Sequence, residues 1–124
     1  MYQFSFEKLN VWKEAVDFTK SIYLLTNTFP ESEKFGVINQ LRRASVSIAS
    51  NLAEGTSRNT NKDKAHFSTL AFSSLMEVLN QLIISKELNF ISEENYEKLR
   101  EDISKISNML NALRKAQLNN ELTN

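Results

Sequence analysis

FGVINQLRRASVSIASNLAEG, residues 35–55, is the stretch on which the fold turns. Only Arg42, Arg43 and Glu54 carry charge in it, so most of the circumference of any helix it forms must face protein. Wound at about 100° per residue, Val37, Ile38, Leu41, Ala44, Ser45, Ile48 and Leu52 cover one broad face. Phe35, Val46, Ala49 and Ala53 carry that face round the side. Opposite lies a narrow polar stripe, Gln40, Arg43, Ser47, Asn51 and Glu54, at steps of 3, 4, 4 and 3. A wide apolar arc beside a thin polar seam predicts a helix buried in its own bundle and also against another subunit.

Working outward, this helix is predicted to start near Glu31 or Ser32, just after Pro30, with Glu31 and Glu33 in its first turn. It is predicted to stop at Gly55, the residue best able to take the left-handed conformation past a helix end. Upstream, a helix is predicted from Phe6 or Glu7 with Ser5 as its cap. Its core face runs through Leu9, Trp12, Ala15 or Val16, Thr19, Ile22, Tyr23 and Thr26. Val11 and Phe18 form a second apolar strip, open to peripheral packing or to an interface.

Downstream, residues 56–64 read as a polar loop in which Thr60 and Asp63 are spaced as a helix cap. A third helix follows, its core stripe Phe67, Leu70, Ala71, Ser74, Leu75, Val78, Leu82 and Ile83. Asn89 and Phe90 make a turn, Ser92 caps a fourth helix, and Ile91 and Tyr96 sit at the positions of a hydrophobic staple. Tyr96, Leu99, Ile103, Ile106, Leu110 and Leu113 repeat close to a heptad seam. The polar tail, residues 118–124, is expected to fray. Helices near 6–28, 32–54, 61–88 and 92–117 with short connections make an all-α, up-and-down four-helix bundle, one domain over residues 1–124.

Composition agrees. Two glycines and one proline are too few for an all-β chain. The absence of cysteine removes disulfides and thiolate metal sites and suits a cytoplasmic protein. The start, MYQFSFEKLN, has no signal-peptide pattern, and uninterrupted apolar runs such as Leu82-Ile83-Ile84 fall far short of the roughly 20 residues of a membrane span. No membrane partner is expected. Fifteen basic and fifteen acidic side chains balance, so overall charge gives no push towards nucleic acid.

Gln40-Leu41-Arg42-Arg43-Ala44, Ser47-Ile48 and Asn51-Leu52-Ala53-Glu54-Gly55 carry a resemblance to the 23S ribosomal RNA intervening-sequence proteins. Phe29-Pro30, Glu33, Phe35 and Gly36 support it, with Leu9 and Val11-Trp12 before them and Ala71, Ser74-Leu75, Glu77 and Gln81-Leu82 after. Leu52, where isoleucine is usual, and Ser73, where glycine is common, depart from the pattern. The resemblance covers nearly the whole chain. It implies a short up-and-down bundle that assembles into a ring, typically a homopentamer. Some members are encoded inside insertions in ribosomal RNA genes, and their biochemical role is not established. A similar fold serves as the accessory protein of diversity-generating retroelements, a basic pentameric barrel that engages a reverse transcriptase and nucleic acid.

Two uses are open to the polar stripe. Gln40, Arg43, Ser47, Asn51 and Glu54 either hydrogen-bond within or between subunits, Arg43 reaching Glu54 of a neighbour, or line a channel or small-molecule cleft. Arg42, Arg43, Arg58, Lys62 and Lys64 outweigh Glu54 and Asp63. They form either a solvated loop or a phosphate-tracking patch that a ring would multiply. No aromatic residue interleaves with them in sequence, so base stacking there is not expected. His66, the single histidine, stands in a polar context with only Asp63 at helical spacing, so no metal, cofactor or catalytic set is expected. These readings predict a non-enzymatic, self-associating interaction scaffold with RNA, DNA or a protein as accessory partner. The competing reading is a purely structural or small-ligand-binding oligomer with no nucleic-acid role.

Overall fold

The computed structural model describes the backbone of residues 1–123 and the side chains of residues 1–119. Four long helices dominate: α1 (Asn10–Thr26), α2 (Val37–Thr56), α3 (Asn61–Glu87) and α4 (Glu93–Thr123). Short 3-10 turns cover Ser5–Lys8 and Glu31–Glu33, and no strand occurs among the described residues. The α2–α3 contact is the most extensive, followed by α3–α4 and α1–α2, and α1 meets α4 to complete a four-helix bundle. Ile22, Leu41, Ile48, Leu75, Leu82, Ile106 and Leu110 are fully buried at its centre.

Side-chain chemistry sets the helix ends. Thr60 Oγ1 accepts the Asp63 N–H at 3.1 Å to start α3, and Ser92 Oγ accepts the Asn95 N–H at 3.1 Å to start α4. Ile91 and Tyr96, flanking that second cap, are both buried. α3 ends on Asn89, which stands in the left-handed region at φ 63°. The Phe90 N–H returns to the Ser85 carbonyl and the Asn89 N–H to Lys86, both at 2.9 Å, which is the Schellman closure with asparagine in place of glycine.

Several boundaries differ from expectation. At the N-terminus the chain makes a 3-10 turn over Ser5–Lys8, and α1 begins only at Asn10. Residues 31–36 do not open α2. Successive bonds from Glu33 to Pro30, Lys34 to Glu31 and Gly36 to Glu33 wind a tighter path, and Gly36, at φ −107° and ψ −117°, lies off the helical track. Phe35 therefore falls out of phase with α2 and is 87% exposed. Gly55 is not a left-handed stop, because no glycine has positive φ among the described residues and α2 runs on to Thr56. Its role is contact: a Cβ there would lie 2.9 Å from Phe67 Cβ. The tail expected to fray continues α4 as far as Thr123, with Asn124 outside the described residues.

The α1 stripe is rotated by one position. Val11, Ala15, Phe18, Ile22 and Thr26 are buried, so Val11 and Phe18 belong to the core, while Trp12, Val16 and Tyr23 stand at its edge. On α3, Leu70 and Ile83 are exposed, and Ser68, Gln81 and Ser85 are buried in their place. Small hydroxyl residues fit there because they bond back to their own helix: Ser85 Oγ donates to the Gln81 carbonyl at 2.8 Å, and Ser68 Oγ reaches the Lys64 carbonyl at 3.3 Å as well as Gln117 Oε1 of α4 at 2.8 Å. α3 is also long and apolar enough, by length and composition, to cross a bilayer. Its Ala71, Leu75, Val78 and Leu82 stripe instead packs into the bundle core.

Candidate functional site

The polar stripe of α2 lies along α3 of the same chain. Gln40 Oε1 accepts from Gln81 Nε2 at 3.3 Å, and the same nitrogen donates to Glu77 Oε2 at 3.2 Å. Arg43 pairs with Glu77 of the same chain. Ser47 Oγ and Ser74 Oγ are 2.9 Å apart, and Asn51 Nδ2 donates to the Ser47 carbonyl at 2.9 Å and to Ser47 Oγ at 3.1 Å. Glu54 is exposed one turn further on. The stripe thus joins α2 to α3 within one subunit through Glu77, Ser74 and Gln81. Glu77 and Gln81 are four apart and so share one face of α3. Gln81 is 7% exposed, and its Oε1 has no hydrogen-bond partner among the described residues.

The five basic residues do not form one patch. Arg42 and Arg43 sit in the first half of α2, about 20 Å of helix rise from the loop that carries Arg58. Arg42 is occupied at the end of α1. Its Nε donates to Thr26 Oγ1 and its Nη2 to Asn27 Oδ1, both at 2.9 Å, and its guanidinium lies 4.6 Å from the centre of the Tyr23 ring. A cation at that helix C-terminus also complements the dipole. Arg58, Lys62 and Lys64 remain together on the loop and the first turn of α3, with Arg58 stacked 4.4 Å over the Phe67 ring. His66 is exposed, edge-on to Phe67 at 5.7 Å.

The fold sorts charge along the bundle. Among the described side chains, the end holding the N-terminal segment, the α2–α3 loop and the last turns of α4 carries Lys8, Arg58, Lys62, Lys64, Arg114 and Lys115 against Glu7, Glu54 and Asp63. The opposite end carries Glu31, Glu33, Glu87, Glu93, Glu94 and Glu97 against Lys34, Arg42, Lys86 and Lys98. The balanced net charge hides a separation that only the helix order reveals.

Three groups in contact with or on α4 are shifted. Lys86, bonded to Glu93 at 2.9 Å, and Lys105, bonded to Glu14 at 2.8 Å, are both held above the ordinary lysine value by those carboxylates. Asp102 is raised above the ordinary carboxylate value, chiefly by burial and next by the nearby charge of Glu14.

Two apolar surfaces are left uncovered. Between α1 and α2 runs an open groove of about 790 Å³, walled by Trp12, Val16 and Tyr23 on one side and Val46, Ala49 and Ala53 on the other. This is the flank by which the broad apolar arc of α2 extends past its own core. The outer side of α3 is the second, and it is mixed. From Ala65 to Ser85 that helix carries one charged residue, Glu77, and Leu70, Ile83 and Ile84 stand exposed there beside exposed Thr69, Ser73 and Asn80. Sequence periodicity missed the groove because it placed Trp12, Val16 and Tyr23 on the core face. The exposed half of α3 was missed because nearly its whole circumference is apolar or uncharged.

A crystallised protein of unknown function from the S23 ribosomal protein family of Bacteroides thetaiotaomicron VPI-5482 has the same fold. It superposes with a TM-score of 0.76 at 22% identity, over 85% of this chain and 98% of that one. No curated protein matches the chain. The family model described as 23S rRNA-intervening sequence protein matches residues 7–112, and with that match over most of its length the chain belongs to the 23S rRNA-intervening sequence protein family.

Proposed function

We propose that the protein is a non-enzymatic, self-associating helical bundle that serves as an interaction scaffold, with nucleic acid or protein as its accessory partner. The observation that carries this reading is the groove between α1 and α2, an apolar surface that none of the described residues covers. Contiguous exposed apolar surface on a folded domain marks a place where something docks. Exposed Leu70, Ile83 and Ile84 on the outer side of α3 add apolar contacts on a different helix. Two unlike surfaces favour a head-to-tail contact, and such contacts close into rings when the rotation between copies allows it. A homopentamer is the ring that the family resemblance implies. Gln40, Arg43 and Ser47 tie α2 to α3 within the chain, and Asn51 supports Ser47 from the same helix.

The competing reading is a small apolar ligand in the same groove, whose volume falls within the usual range of ligand sites. Sedimentation velocity separates the two. Val46 is exposed at the groove's edge, so Val46→Glu leaves the core intact while placing a charge where a second copy would sit. The wild type is expected to sediment as an oligomer and Val46→Glu as a monomer with unchanged helicity. A wild type that stays monomeric at every concentration, and whose groove takes up an apolar fluorescent dye, would overturn self-association in favour of the ligand reading.

A further inference from the structure

The basic end of the bundle has aromatic residues that its linear sequence conceals. Tyr2 is 77% exposed and Phe4 61% exposed. Their rings meet edge to face at 5.1 Å, and neither belongs to the hydrophobic core. The segment that carries them is rooted, since Glu7 Oε2 accepts the Phe4 N–H at 2.7 Å and ties down the turn that follows. That root lies against the basic loop: Ser5 lines one pocket together with Thr56, Asn61 and Lys64. On the same end the Arg58 guanidinium lies 4.4 Å from the centre of the Phe67 ring, and Lys62 on the first turn of α3 is exposed.

We infer that this end binds single-stranded nucleic acid, with bases stacked on Tyr2 and Phe4 and phosphates held by Arg58, Lys62 and Lys64. Exposed rings held beside cations match what an unpaired strand presents, a π-face on every base and a charge on every linkage. A duplex hides its base faces inside the stack, so protruding rings gain nothing from it. The excess of lysine and arginine at this end, against an excess of carboxylates at the other, sets the direction from which a strand approaches. The inference rests on the nucleic-acid half of the reading above and not on self-association, because every residue it uses is on one protomer.

Fluorescence anisotropy with labelled oligo(U), oligo(dT) and a duplex of equal length tests it, the first two separating RNA from DNA. Both single strands, or one of them, should bind more tightly than the duplex. Tyr2→Ala with Phe4→Ala should weaken single-strand binding at least tenfold, leaving the salt dependence unchanged. Lys62→Ala with Lys64→Ala should instead flatten the log–log salt slope by about 1.4, at about 0.7 for each phosphate no longer neutralised. All four positions are on the surface or at its edge, and unchanged circular dichroism confirms folding. Single-strand binding that ignores the loss of Tyr2 and Phe4, or that polyglutamate competes for equally, would overturn the stacking site while leaving a generic charge interaction. No binding to any oligonucleotide would overturn the nucleic-acid reading with it.

Discussion

Gly55 shows how one residue type can serve two physical purposes. A glycine near a helix end suggests a left-handed turn, yet here it lies within α2, buried, with Phe67 of α3 against its missing side chain. The alternatives give opposite signs. If conformational freedom were its only property, Gly55→Ala would stabilise the helix by about 1 kcal/mol. Close approach means that the added methyl meets a Cβ at 2.9 Å, and α2 and α3 must part. The expected result in urea denaturation is a loss of about 1–3 kcal/mol; a gain would contradict the contact. Asp102 gives a second test, by titration. Its carboxyl is raised in the folded chain, so folding takes up a proton just above the ordinary carboxylate value of 3.8, and stability falls as pH rises through that window. Asp102→Asn should therefore have the higher Tm at neutral pH, and the difference should close once the pH drops below both values. A gap independent of pH would remove titration of Asp102 as its cause.

At the scale of elements, the end of α1 depends on a residue of α2. Arg42 bonds to Thr26 and Asn27 and covers the Tyr23 ring, so Arg42→Ala should loosen the last turn of α1 and cost about 1.5–3 kcal/mol. Arg42→Lys should recover little of it, because an ammonium lacks the planar fork that makes both bonds. Amide exchange is the readout: protection should fall at Tyr23 to Asn27 and hold in α4, and unchanged protection in α1 would show the contacts to be incidental. The legibility of the elements also varies for physical reasons. α4 can be read from spacing alone because a single stripe, Tyr96 to Leu110, is apolar and buried on an otherwise charged helix. α1 cannot, because Val11 and Trp12, Ala15 and Val16, and Ile22 and Tyr23 place two apolar residues side by side, and periodicity alone leaves the choice of face open. The α2 core face is read correctly from Ile38 to Leu52. The partners of its polar stripe are not, because Glu77 and Gln81 come from another helix whose register only tertiary packing fixes.

For the whole molecule, two properties invisible in the totals govern how it meets its surroundings. Net charge is zero, yet the ends of the bundle are opposite in sign. The chain has a complete core, yet the apolar α1–α2 groove and Leu70, Ile83 and Ile84 of α3 stay uncovered among the described residues. We propose that the first property bears on what is attracted to the molecule and the second on how copies come together. Of the five basic residues grouped in sequence, the fold keeps Arg58, Lys62 and Lys64 together and assigns Arg42 and Arg43 to intramolecular contacts. The central claim is that the uncovered apolar surfaces join copies of this chain. Native mass spectrometry of freshly purified protein, over a range of concentrations, tests it most directly. One discrete assembly with a fixed subunit number is expected, five for the implied ring. A monomer that persists at every concentration would contradict it.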